Sequence, residues 1–296
     1  MPDKTQRLLN HAVWDTSAAM GAVRRLAVAG LEEAALKGGR LVAGALDETG
    51  QEKKGEHTAG VKRQHMGCAD GVASGINTVH LSYVREKTGH ALIGFRQWIP
   101  QEHIDDPVKS LVTGLPPDLE FRTRGRLAIG ICEDAAADGV VFDFVCGDEV
   151  YGSCTPLREW LEAAGQAYVL RVPKSFRVTM SDGTVLTCEE AVAKLVKDTS
   201  WEIRSAGEGS KGERWYAWAW AGTGSPGHHL LVRRHLKTGE LAFHYCYCIP
   251  RSPGTRCSSW QRSQSAPSPP RCSATAPIPR RPDRSARTRR RPPTRA

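Results

Sequence analysis

The sequence predicts a three-layer α/β domain built on a mixed sheet, from three observations. Two apolar runs, "LVAGALD" (41–47) and "VVFDFVCGD" (140–148), are too short for helices, each closes on an acid, and both read as buried strands. Between them "INTVHLSYV" (76–84) and "HALIGFRQWI" (90–99) alternate across the turn "REKTG", the pattern of an antiparallel hairpin. Helical patterns then separate the later strands. Pairing the first and fourth strands in parallel through a helical crossover requires helices over the sheet.

Taken in order, residues 15–36 read as a helix with Asp15 as N-cap, Met20, Val23, Leu26 and Ala27 as its apolar stripe and "KGG" as its stop. In the hairpin, Val79, Leu81 and Tyr83 share the core face. "GRLAIGICEDAAADG" (125–139) reads as the crossover helix. After the strand that ends at Asp148 comes a helix with Thr155 as N-cap, Pro156 first inside, Leu157, Trp160, Leu161 and Ala164 on one stripe and Gly165 as terminator. "AYVLRVP" (167–173) is the fifth strand. Residues 174–249 change to short strands around one helix, which carries a capping box, Thr187 with Glu190, and is expected to bury Val192, Leu195 and Val196. "RWYAWAW", "HHLLVRRHL" and "ELAFHYCYCI" are the strands of this β-rich insertion. No internal repeat is visible.

The charge is unevenly spread. The 296 residues carry a net +9, but residues 251–296 hold 12 Arg, no Lys and a single acid, Asp283, for a net +11, so the first 250 residues carry −2. That last stretch has 9 Pro and 8 Ser, no Leu, Val, Phe or Tyr and only Ile278 among the large aliphatics, too little to offset ordering entropy, and is predicted to be disordered. Nine Cys at scattered positions suit reduced thiols in a cytoplasmic protein. No run approaches the roughly 20 apolar residues of a membrane span. The expected organisation is a helical stub (1–40), an α/β core (41–173), the β-rich insertion (174–250) and the tail (251–296).

Two acids stand out by position. Asp47 and Asp148 each end an apolar strand, and the two strands are expected to be neighbours, so their carboxylates can meet at one sheet edge. Paired carboxylates are hard-oxygen ligands for Mg²⁺ or Mn²⁺ in phosphoryl transfer. Taken singly, each reads as an ordinary turn or cap residue. Lys53, Lys54, Lys62 and Arg63 follow Asp47, with His57 and His65 interleaved, and form a candidate contact to a phosphate backbone; Glu48, Glu52 and Glu56 dilute the charge, so a solvated loop is the other reading. Weaker signals are read structurally. "GEGSKG" (207–212) is a turn because a strand rather than a helix follows. Cys246 and Cys248 are core thiols, His228, His229, His235 and His244 are surface imidazoles without zinc spacing, and Trp215, Trp218 and Trp220 are core.

The segments "LDETGQEKKGEHTAGVKRQHMGCADGVASGINTVHLSYV", "FDFVCGDEVYG", "GQAYVLRVP" and "GSKGERWYAWAW" resemble bacterial insertion-sequence transposases of the DDE superfamily, with a likeness running from about Gln6 to Ile249. The resemblance implies a ribonuclease H-like fold with a β-rich insertion, and DNA cleavage and strand transfer with two divalent ions, Mg²⁺ or Mn²⁺. It makes Asp47 and Asp148 the first and second catalytic acids. It implies as partners insertion-sequence ends, target DNA and a homodimer or a hetero-oligomer with intact transposase, with no membrane, in a cytoplasmic, nucleoid-associated setting. The family's third acid is a Glu on a helix after the insertion, whereas this sequence has no Glu after Glu240, itself in the turn "KTGEL". The amino-terminal region is a stub by the same comparison. The composition changes at Pro250 to what out-of-frame translation of G+C-rich DNA yields. The expectation is a frameshifted, inactive transposase; a natural basic tail on a non-catalytic nucleic-acid-binding protein or inhibitor of intact transposase is the alternative.

Overall fold

The computed structural model describes residues 15–35, 41–55, 57–209 and 212–248, so the tail expectation lies outside the described residues. The sheet begins with β1 (Val42–Glu52), β2 (Lys62–Met66), β3 (Gly71–Arg85) and β4 (Gly89–Trp98), and continues with β5 (Phe144–Gly147) and β6 (Tyr168–Val172). Its order is β2-β3-β1-β5-β6, with β4 also paired to β3. β1 is antiparallel to β3 and parallel to β5, and β5 is parallel to β6. This is the mixed sheet of a ribonuclease H-like fold. The first and fourth strands of the sequence reading pair in parallel as expected, Ala43 opposite Phe144 and Ala45 opposite Cys146.

The long helices are α1 (Thr16–Ala34), α4 (Arg124–Ala137) and α6 (Thr155–Ala163); between β4 and α4 lie two short ones, α2 (Gln101–Ile104) and α3 (Pro107–Thr113), and α5 (Glu149–Gly152) follows β5 directly. The core forms where α4 and α6 meet one face of the sheet. Val79, Leu81 and Tyr83 of β3, with Leu46, Val145 and Leu170, pack on Ala128, Ile131 and Leu157, all at most 3% exposed. Full burial of each such aliphatic side chain stabilises by about 1.5–3 kcal/mol.

Helix α1 is capped by Asp15, whose Oδ1 accepts the Ala18 amide at 2.8 Å. Its buried face differs from the apolar stripe read in the sequence: Val23 and Leu26 are 52% and 77% exposed, and Gly21 and Arg24 are buried. Arg24 donates from Nε to Asp138 Oδ2 at 2.7 Å and from Nη1 to the Ile93 carbonyl at 3.2 Å, which turns that side of the helix inward. Helix α6 starts at Thr155 with Cys154, not Thr155, as N-cap, while Gly165 stops the chain at φ +64 as expected.

After β6 a small hairpin, β7 (Arg177–Thr179) with β8 (Val185–Thr187), leads into α7 (Cys188–Leu195), and the sheet resumes with β9 (Glu202–Gly209), β10 (Gly212–Gly222), β11 (His228–His235) and β12 (Leu241–Tyr247). β12 pairs antiparallel with β6, followed outward by β11, β10 and β9, so these strands extend the core sheet. The capping box is present, Glu190 accepting from the Thr187 amide at 2.8 Å. Helix α7 buries Cys188 and Ala191 rather than Leu195, which is 47% exposed, because the small residues face the hairpin and sheet. On β10 the alanines 217, 219 and 221 are buried, whereas Trp215 and Trp220 are 48% and 40% exposed, so a core reading for these two Trp is wrong: Trp220 takes the face opposite the alanines, and Trp215, on the alanine face, precedes the buried stretch. Of "GEGSKG", Gly207 to Gly209 end β9 and Gly212, paired with Gly209, begins β10, while residues 210–211 lie outside the described residues.

The packed helices lie on one face, so the described residues form two layers rather than the three expected from the sequence. On the other, among the described residues, Val72, Leu92, Phe95 and Trp220 are 58%, 58%, 38% and 40% exposed.

Candidate metal and DNA site

Asp47 lies within β1, not at its end. The strand runs five residues further to Glu52, because its polar half pairs along β3, Glu48 with Val79 and Glu52 with Gly75. Asp47 faces His80 on the open side of the sheet, and its Oδ1 accepts the Glu48 amide at 2.8 Å. Asp148 follows β5 and N-caps α5, its Oδ1 accepting the Val150 amide at 2.9 Å. The parallel register that sets Ala45 beside Cys146 carries Asp47 to the level of Asp148. The register therefore brings Asp47 and Asp148 to one level of neighbouring chain segments, with Asp47 inside its strand rather than at its end.

A third carboxylate, missed from the sequence, stands behind them. Glu48 points to the packed face, where Arg124 Nη1 lies 3.1 Å from its Oε2 and the Asn77 amide donates at 3.3 Å. Burial raises the Glu48 pKa above its ordinary value; Arg124 opposes that, and the negative charges of Asp148 and Asp47 add to it. Burial also raises the Tyr151 phenol, followed by Glu48, Asp148 and Asp47, and burial lowers His80 against the pull of Asp47. Around this edge Glu48 Oε1, Asn77 Oδ1, His80 Nδ1, Arg124 Nε and the Tyr151 hydroxyl are buried without a hydrogen-bond partner. Orphaned buried polar atoms are costly and cluster where an ion, water or substrate completes the network. The signal for Glu48 was its adjacency to Asp47; its role needed the register of β1 against β3.

In kind, this donor set fits a hard divalent cation. In number it is sparse, since Asp47 and Asp148 supply few of the six oxygens of an octahedral ion. Among the described residues no group of three or more His, Cys, Asp or Glu is placed to hold a metal. Glu149 is engaged by Arg171 at 3.0 Å, and Glu240 sits in the β11–β12 turn.

The basic residues divide. Lys62 and Arg63 are successive on β2 and face opposite ways: Lys62 ion-pairs with Glu102 at 2.5 Å, while Arg63, opposite Ser74, shares the open face with Asp47. A groove of about 560 Å³ beside α3 is lined by Lys62, Arg63 and Lys109 with His57. Lys53, half-buried, bonds through its amide to the Ser74 carbonyl where β1 ends, and Lys54 beside it is exposed. The imidazoles are not all at the surface. His228 Nε2 lies 3.0 Å from Glu162 Oε1, and burial, then the charges of Arg233 and Arg171, hold His244 at about 4.

The sequence pattern of the DDE superfamily endonucleases matches residues 2–188, well over half the chain and inclusive of both aspartates. The chain belongs to this family. No curated protein matches it. Nucleases of the superfamily act on DNA and are in general dependent on divalent metal, which agrees with a hard-oxygen pair at the edge of the sheet. No described helix is long and apolar enough to cross a membrane.

Proposed function

We propose that this chain is an insertion-sequence transposase in its chemistry, cutting and joining DNA at element ends with Mg²⁺ or Mn²⁺ held by Asp47 and Asp148. The observation that carries the reading is the shared level of Asp47 on β1 and Asp148 just past the parallel strand β5, within the span matched by the family. When bound, two such ions activate an attacking oxygen and stabilise the leaving one. The chain's own residues fix the frame: the Glu48 and Val150 amides hold Asp47 and Asp148 in place. Arg124 balances the charge of Glu48 behind them. Arg63, Lys53 and Lys54 are the proposed backbone contacts, with Lys62 engaged by Glu102 until DNA competes for it.

Two carboxylates hold ions poorly, and the sequence offers no Glu beyond Glu240, so the chain alone is proposed to turn over negligibly. The net +11 of residues 251–296 favours a second reading, a non-catalytic nucleic-acid-binding protein or an inhibitor that joins intact transposase, in the cytoplasm with the nucleoid. The test uses supercoiled plasmid carrying the element ends. With Mg²⁺ the chain is expected to leave it uncut, and a chain with residues 251–296 replaced by the translation of another reading frame is expected to cut it. Asp47→Asn in that repaired chain should abolish cutting; undiminished cutting would remove Asp47 from the site. Efficient cutting by the unrepaired chain would mean that another acid completes the set.

A further inference from the structure

The open face of the sheet carries an ordered row. Cross-strand partners share a face, and the registers run Trp220 to Leu231, Leu231 to His244 and His244 to Arg171. β5 and β6 pair Gly147 with Leu170, so the next level sets Asp148 beside Arg171 and, through β1, beside Asp47. The carboxylate pair and Trp220 thus belong to one line running across the strands. At about 4.8 Å per strand, Trp220 lies roughly 24 Å from Asp47 along it.

The side chains change character along that line, which is buried in its middle, where Leu231 is 2% exposed. Next to the acids is Arg171, 47% exposed and leaning on Glu149. Parallel to it Arg233, opposite Trp218, lies 4.5 Å from the centre of the Tyr216 ring. His244 between them is held neutral by burial, so the positive charge resides on the two guanidinium groups. At the far end Trp220, 40% exposed, meets His229 edge to face with ring centres 5.7 Å apart.

We propose that this row is the track of an unpaired DNA strand leading away from the scissile phosphate, with Arg171 and Arg233 on its phosphates and Trp220 stacking a base. The track rests on the reading of Asp47 and Asp148 as the cutting site only for its direction. Guanidinium groups complement phosphate: Arg171 stands on the line of the carboxylates, and Arg233 flanks it, two residues along β11 from Leu231. Exposed rings favour an unpaired strand over a duplex, because in a duplex the faces of the bases are already stacked on one another.

The test is binding of the full chain to a labelled oligo-dT of roughly 12 nucleotides, within the span of known single-strand sites, against a duplex of equal length. Fluorescence anisotropy is read in EDTA, so the result is independent of whether Asp47 and Asp148 hold metal. Salt of about 0.2 M, where the Debye length is under ~8 Å, damps the contribution of the Arg-rich segment, which is common to every variant. The wild type should prefer the single strand; Trp220→Ala and Arg171→Ala should each weaken it about tenfold with duplex binding unchanged, and Trp220→Phe should stay within about twofold. Circular dichroism checks that each variant is folded. Equal single-strand affinity in wild type, Trp220→Ala and Arg171→Ala would overturn the track, as would parallel losses for single strand and duplex.

Discussion

Arg124 Nη1 on α4 lies 3.1 Å from Glu48 Oε2 on β1, one residue along the chain from Asp47. The pair is mostly buried, and Arg124 also lies over the Trp98 ring at 5.2 Å, so it ties the crossover helix to the sheet just behind the carboxylate edge. Arg124→Met should leave the Glu48 carboxylate uncompensated and cost about 2 kcal/mol at neutral pH, below the 3–5 kcal/mol of a fully buried pair because both side chains keep some solvent. The sign of the pH dependence follows from the raised pKa of Glu48. A carboxyl raised in the folded state binds its proton more tightly there, so the penalty is absent below the ordinary value near 4.5, grows as pH rises through the raised value and is level above it. The deficit of Arg124→Met measured by urea unfolding should therefore be smaller at pH 4 than at pH 7; a deficit independent of pH would contradict the role given to Glu48.

Arg24 is the anchor of α1. Its guanidinium is buried and bonds both Asp138 and the Ile93 carbonyl, so Arg24→Met should cost about 2 kcal/mol, or roughly 4–8 °C in Tm. The Asp138 carboxyl is held below its ordinary value, first by the Arg24 hydrogen bond and then by Arg25. A depressed carboxyl contributes stability that is present above its ordinary value of 3.8 and lost as pH falls through the depressed one. The variant should accordingly lose less than the wild type between pH 4 and pH 2. An unchanged acid limb would separate Arg24 from Asp138.

What the sequence revealed and concealed divides along physical lines. The apolar runs ending at Asp47 and Asp148 marked the pair because burial leaves a composition signal. The extension of β1 past Asp47 left none, since Glu48 to Glu52 are polar and are held as strand by backbone pairing with β3. The face of α1 was misread because a buried ion pair, Arg24 with Asp138, outranks the exposed Val23 and Leu26. In "RWYAWAW" alternation was visible but its phase was not: size argued for Trp inside, whereas Ala217 and Ala219 take the buried face and Trp220 the other. The row from Asp47 to Trp220 spans six strands and exists only once their registers are set.

Two glycines give opposite expectations. A Cβ at Gly152 would stand 1.8 Å from the Arg171 carbonyl oxygen, so Gly152→Ala must push α5 off β6 and should cost more than about 3 kcal/mol. Gly130, in the middle of α4, has no neighbouring atom within 4 Å of such a Cβ, and Gly130→Ala should stabilise by about 0.5–1 kcal/mol. Thermal unfolding of the two variants checks both; a neutral Gly152→Ala would mean that α5 and β6 are not in contact as described.

Whether Asp47 and Asp148 together hold a divalent ion is read from a Mn²⁺ titration of the full chain followed by the electron paramagnetic resonance of free Mn²⁺. Few protein oxygens imply weak binding, roughly 10⁻⁴ to 10⁻³ M. Asp47→Asn and Asp148→Asn should each abolish this binding, while Glu149→Gln, at a carboxylate engaged by Arg171, should retain it. Binding left intact by either Asp variant would contradict the shared site.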